Sequence, residues 1–172
     1  MMQPHALEPG LLYFAYGCNM DRVFFESVLD RYLSPGWAAR LDGWRLAFNK
    51  GGEGDDDDHV VANLVDGERC STYGVVYRLP FESLAVLDEF EGVPEHYRRG
   101  TIWVEPLGRQ ARQAAVAYFG QPSWIVHKGK PSADYLDLIV RGATGHDLPE
   151  AYVDWLKKLA SLETAGGYQA EV

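Results

Sequence analysis

Residues 72–92 read "TYGVVYRLPFESLAVLDEFEG", and the periodicity changes partway through. Up to Leu79 the segment is rich in β-branched and aromatic residues, which suit a pleated, half-buried strand. Beyond Pro80, Leu84, Leu87 and Phe90 recur at helical spacing, which predicts a helix over 82–90 with those three on its buried face. Gly92 stands where a C′ glycine ends such a helix. Strand thus runs straight into helix.

Further strands are predicted over 13–16, 44–48, 59–65, 101–107 and 113–120, each bounded by Gly, Pro or Asp. The last two read as an antiparallel hairpin. Helical spacing returns over 20–33, 133–141 and 149–162, the last with Asp147 as candidate N-cap and Pro149 in its first turn. Strands and helices alternate irregularly, so the chain reads as one α+β domain over 1–172, built around a mixed sheet or small barrel.

Composition narrows the function. A net charge of -9 and the absence of any Lys/Arg cluster leave nothing to hold a phosphate backbone, so nucleic acid is not an expected partner. The longest apolar run, residues 11–15, is too short to span a bilayer, and no membrane association is expected. The N-terminus lacks a basic segment followed by an apolar run, and Cys18 and Cys70 form no CxxC pair. A reducing, cytoplasmic setting is therefore expected. The segment "NKGGEGDDDDH", residues 49–59, reads as a solvated acidic loop rather than a metal site, because it lacks the ligand spacing of a calcium loop.

Two segments carry candidate chemistry. In "YFAYGCNM", residues 13–20, a strand breaks at Gly17. If Asn19 caps the helix expected from Met20, the amides of residues 17–20 face outward and offer a carboxylate or oxyanion site. Cys18 at that helix start would be a candidate thiol nucleophile with a lowered pKa. The second segment is the helix over 82–90. Glu91 follows Leu87 by four positions and lies roughly 40° from it, facing inward, whereas Glu89 lies roughly 200° away, facing water. Partial burial and the negative helix end would raise the Glu91 pKa, which suits general acid–base work. Tyr97, Tyr118 and Tyr135 are suited equally to orienting a polar ligand and to lining a core.

Taken together, "YFAYGCNM", "YGVVYRLP" leading into "LAVLDEFEGV", a tyrosine soon after, and "PSADYLDLIVRGATGHDLPEAYVDWLKKL" resemble the γ-glutamylcyclotransferase family over about residues 12–162. The resemblance implies a mixed β-sheet closing into a small barrel-like core with flanking helices and a cavity at its mouth. It implies conversion of a small-molecule γ-glutamyl substrate into 5-oxoproline and a released amine, without cofactor or metal. The family's catalytic acid–base residue maps onto Glu91. Its substrate loop maps onto Tyr13, Phe14, Ala15, Tyr16, Gly17 and Cys18, with Asn19 adjoining. Cys18 stands where the family usually has serine, which leaves substrate preference open: γ-glutamyl amino acid, γ-glutamylamine or another γ-glutamyl metabolite, or binding without turnover.

Overall fold

Two long strands carry the sheet in the computed structural model, which describes residues 10–52, 59–108 and 111–161. The elements run β1 (Gly10–Ala15), α1 (Arg22–Leu29), β2 (Trp37–Gly51), β3 (Val60–Pro80), α2 (Ser83–Phe90), β4 (Tyr97–Pro106), β5 (Gln113–Gly120), α3 (Ala133–Gly145) and α4 (Glu150–Ser161). Most of the acidic loop and the C-terminal tail lie outside the described residues.

The strands predicted over 59–65 and 72–79 are a single strand, β3. The intervening polar residues look like a turn in sequence, but a bulge keeps them in the sheet. The register with β2 jumps from Asp42↔Ser71 to Trp44↔Asp66, so residues 67–70 stand opposite Gly43, which takes φ +82°. Such a bulge bends and twists a strand pair, and this one helps β2 and β3 wrap into a barrel.

The barrel closes in the order β1-β3-β2-β4-β5, the α+β barrel that the sequence predicts. β4 and β5 are the expected antiparallel hairpin. Closure comes from a parallel contact between β1 and β5 at Tyr13↔Val116. Together the registers bring the C-terminal ends of β1, β2 and β5 and the N-terminal ends of β3 and β4 to one end of the barrel.

Phe14, Phe25, Tyr77, Leu79 and Leu87 are fully buried in the core. Phe25 of α1 packs on Tyr13 and Tyr77 with ring centroids 5.3 and 5.2 Å away, burial worth about 2–3 kcal/mol for a side chain of this size.

Helix boundaries differ from those predicted at several places. Residues Cys18–Met20 form a single 3-10 turn, and α1 begins at Arg22. Its cap is Asp21, whose Oδ1 accepts from the Phe24 amide at 2.9 Å, so Asn19 is not the cap. α3 continues past Arg141 to Gly145. The residue before α4 is Pro149, while Asp147 sits in the connection at φ +54° and does not occupy the cap position.

Within α3, Gly142 packs against the 3-10 turn. A Cβ there would lie 2.3 Å from the Met20 carbonyl carbon and 2.4 Å from the Asp21 nitrogen. Arg141 Nε pairs with Asp21 Oδ2 at 3.0 Å beside this contact. Gly142→Ala therefore sets a methyl group against main chain rather than against a side chain that could move. It should lower stability by about 2 kcal/mol, measured by urea denaturation, and should shift the turn that carries Asn19.

Candidate active site

A cavity of about 320 Å³ opens at the end of the barrel where those strand ends meet. Its walls come from Tyr13 and Tyr16 around the end of β1, Gly17, Cys18 and Asn19 in the turn, Lys50 on β2, Val61 and Ala62 on β3, Glu91 after α2, Tyr97 on β4, Tyr118 on β5 and Tyr135 on α3. Phe24, Phe90, Gly52 and His59 complete it.

Glu91 is placed by the way α2 ends. It is the C-cap residue, and Gly92 follows at φ +63°. The Val93 amide donates to Asp88 O at 2.9 Å and the Gly92 amide to Glu89 O at 3.1 Å, the paired bonds of a Schellman motif. That motif pins the backbone on both sides of Glu91. Glu89 is exposed, as the helical phase predicts. Phe90 is not on the buried face: it is 43% exposed and meets Phe24 edge-on at 6.2 Å at the cavity's edge.

Asn19 supplies the contact to this carboxyl. Buried at 3% exposure, its Nδ2 donates to Glu91 Oε1 at 3.2 Å and to Tyr13 Oη at 3.0 Å. Desolvation raises the Glu91 pKa to about 7, against the opposing pull of Lys50 and of the Asn19 hydrogen bond; nearby Asp88 raises it further. The carboxyl group therefore exists in both protonation states near neutrality.

The tyrosines divide by what their hydroxyls do. Tyr16 donates to Tyr118 O at 2.6 Å, Tyr97 to Ala62 O at 2.8 Å and Tyr118 to Asp88 Oδ1 at 2.7 Å. Those protons are engaged in holding the barrel end together. Tyr13 accepts from Asn19, and Tyr135 accepts from the Ala62 amide at 3.0 Å. Tyr13 thus keeps a proton to offer toward the cavity, while the Tyr135 hydroxyl also meets the Cys18 thiol. Burial raises all five pKa values, so every hydroxyl stays protonated at neutral pH.

Phe14 and Ala15, expected in the substrate loop, do not line the cavity. Strand alternation turns Phe14 to the opposite face from Tyr13, where its ring packs across Gly74. The Ala15 methyl is too short to extend past its buried neighbours. Cys18 also departs from expectation. It opens a single 3-10 turn rather than an α-helix, which begins only at Arg22. Burial, and secondarily the charge of Glu91, pushes the thiol up to about 12. It is not a lowered-pKa nucleophile, and both cysteines are free.

Sequence reasoning missed Lys50 and His59. Lys50 looked like part of the polar loop that follows "WRLAF", yet β2 runs on to Gly51 and draws its side chain into the wall. A lone lysine at the end of an apolar strand was the available signal. Among the described residues no three His, Cys, Asp or Glu side chains gather as metal ligands, and no helix is long and apolar enough to cross a membrane.

A profile described as the AIG2-like family matches residues 71–156, a span that contains β3's YGVV stretch, the Schellman-capped Glu91 and Tyr97. The chain belongs to that family. Gamma-glutamylcyclotransferase of Mus musculus is 26% identical over 174 residues, covering 98% of this chain and 89% of that protein. The putative gamma-glutamylcyclotransferase YkqA of Bacillus subtilis strain 168 is 32% identical over 151 residues, covering 86% of this chain and 51% of that longer protein. A solved gamma-glutamyl cyclotransferase structure superposes with a TM-score of 0.76 at 26% identity over 87% of each chain. Sequence and fold agree on a γ-glutamylcyclotransferase relationship, the family that the motifs resemble.

Two measurements probe this geometry. Gly92→Ala places a side chain at φ +63° with its Cβ 2.8 Å from the His96 ring. It should cost about 1 kcal/mol or more in thermal unfolding. Glu91 has a folded pKa above its usual 4.5, so whatever the neutral carboxyl adds is present below about pH 4.5 and is lost as pH rises through about 7. Relative to Glu91→Gln, the wild type should lose roughly 3 kcal/mol across that window, read from denaturation at pH 4.5 and pH 8.

Proposed function

We propose that the protein is a cyclotransferase that releases 5-oxoproline and a free amino acid from a γ-glutamyl amino acid. The observation that carries this reading is the Glu91 carboxyl, held by Asn19 in the cavity wall with a pKa raised to about 7. Membership in a family whose relatives are named gamma-glutamylcyclotransferase supports the reaction class.

The reaction is an intramolecular acyl transfer. Glu91, as carboxylate, takes a proton from the substrate's α-ammonium. The neutral amine attacks the γ-carbonyl carbon, forming the ring C–N bond and a tetrahedral oxyanion. Glu91, now protonated, gives its proton to the leaving nitrogen as the original amide C–N bond breaks; the carboxylate so regenerated takes the second proton from the ring nitrogen, leaving the lactam N–H, and passes it to the released amine, which departs as an ammonium ion. Holding the substrate folded in a small cavity supplies the high effective molarity of ring closure. The Tyr13 hydroxyl and the main-chain amides of residues 17–19 are the uncharged donors assigned to the substrate carboxylate and the oxyanion. Asn19 orients Glu91 and favours its ionised form.

The test incubates the purified protein with γ-glutamyl-alanine, glutathione and a γ-glutamylamine, and quantifies 5-oxoproline. Glu91→Gln should lower kcat by at least about a hundredfold. Absence of 5-oxoproline from every substrate, or full activity of Glu91→Gln, refutes the reading. Because the base form is needed first, kcat/KM should fall about tenfold per pH unit below about pH 6. Asn19→Leu removes a hydrogen bond to the carboxylate, so it should move the midpoint of that profile upward. With its thiol held near pKa 12, Cys18 is no nucleophile, and Cys18→Ser should still release 5-oxoproline. Inactivation by that substitution would favour a thiol enzyme instead.

A further inference from the structure

Asp88 stands about one helical turn before Glu91 on α2, and its carboxylate meets two partners on the β4–β5 hairpin. Oδ1 accepts from the Tyr118 hydroxyl at 2.7 Å, and Oδ2 pairs with the Arg99 guanidinium. Arg99 and Tyr118 stand opposite one another in the β4–β5 register. One carboxylate thus ties the last turn of a helix to both strands of the hairpin. With 26% of the Asp88 side chain exposed, these bonds are partly shielded from water and are stronger than those of an open surface pair. The Asp88 main chain acts at the same place, because its carbonyl accepts the Val93 amide in the motif that pins Glu91.

Asp88 does not line the cavity, but what it holds does. Tyr118 is 2% exposed and its ring meets Tyr13 edge-on, with centroids 6.0 Å apart. Tyr13 accepts from the same Asn19 nitrogen that donates to Glu91. The Tyr118 carbonyl accepts from Tyr16. Asp88 therefore bears on Glu91 from two sides, through the end of α2 and through the tyrosines behind Asn19. Charge adds to placement. Of the charged groups that act on the Glu91 carboxyl, Lys50 on β2 favours its ionised form and Asp88 on α2 opposes it. The phenols of Tyr13, Tyr16, Tyr97, Tyr118 and Tyr135 and the Cys18 thiol surround it in neutral form, and His59 completes the cavity.

The geometry points to Asp88 as a positioning residue of the site: clamped between Arg99 and Tyr118, it seats the end of α2 on the β4–β5 hairpin and fixes where the Glu91 carboxyl stands. It acts through Glu91 and Tyr118 rather than on the substrate. For turnover this inference rests on the cyclotransferase reading, and for the state of Glu91 it rests on the clamp alone.

Two substitutions separate shape from charge. Asp88→Ala removes both, whereas Asp88→Asn removes the charge and keeps an acceptor for one of the two donors. Circular dichroism melts establish that each variant is folded. With γ-glutamyl-alanine, Asp88→Ala should lower kcat at least about tenfold while KM changes less than about threefold, and Asp88→Asn should recover most of that loss. If Asp88→Ala does not fold, Tyr118→Phe, which deletes one donor and keeps the ring, takes its place in this comparison. The Glu91 carboxyl is followed without substrate, by carbon NMR of protein isotope-labelled at the glutamate carboxyls and assigned with Glu91→Gln. In Asp88→Asn its titration midpoint should fall by roughly 0.3 pH unit or more, because a negative neighbour is gone. The acid limb of kcat/KM should move down with it, opposite to the effect of Asn19→Leu. Wild-type kcat in the folded clamp variant, or a Glu91 midpoint that stays or rises in Asp88→Asn, overturns the assignment and leaves Asp88 a stabilising ion pair only. A lowered midpoint in a protein that releases no 5-oxoproline upholds the action of Asp88 on Glu91 and removes the cyclotransferase reading.

Discussion

The barrel closes through one parallel contact, Tyr13 against Val116, and the cavity depends on it. Parallel neighbours leave the sheet at the same end, so the turn after β1 emerges beside the end of β5. β4 is antiparallel to β5 and begins at that end, and Glu91 lies in the connection from α2 into β4. Asn19 and Glu91, 72 positions apart in the chain, thereby come within hydrogen-bond reach. Antiparallel closure would send the 17–19 turn out at the other end of the barrel.

Once the ends converge, burial sets the chemistry. The same desolvation acts on Glu91, Cys18 and the tyrosines, always favouring the neutral form. For the phenols and the thiol that means loss of acidity far from neutrality, leaving them as hydrogen-bond groups. For a carboxyl group it means a pKa that lands near neutrality. Lys50 and Asn19 limit the rise. One physical effect thus separates a group that changes protonation near neutrality from a set of fixed dipoles.

Much of this was legible in the sequence, for local reasons. The phase of Leu87 and Glu91 follows from helical geometry, and Gly92 ends the helix because a left-handed residue is needed there. Other features were not legible, because they rest on distant partners. Asp21 outcompetes Asn19 as a cap once Arg141 and Gly142 of α3 pack on the turn. That displaces the helix start and removes the basis for a reactive Cys18. Residues 66–71 look like a turn, yet the bulge opposite Gly43 keeps them in the sheet. Lys50 looks like a loop residue until β2 carries it into the wall.

By itself the sequence determined the α+β class, the strand-to-helix passage through residues 72–92, the inward aim of Glu91 and the motifs of the family. These depend on periodicity and capping, which act over a few residues. Only the tertiary structure decided that Asn19 holds Glu91, that Phe14 faces away from the cavity, that Tyr13 keeps a proton to donate, and that Lys50 joins the site. Each of these turns on the free energy of a polar or charged group removed from water. That quantity is set by the groups that surround it in space, most of them far away along the chain.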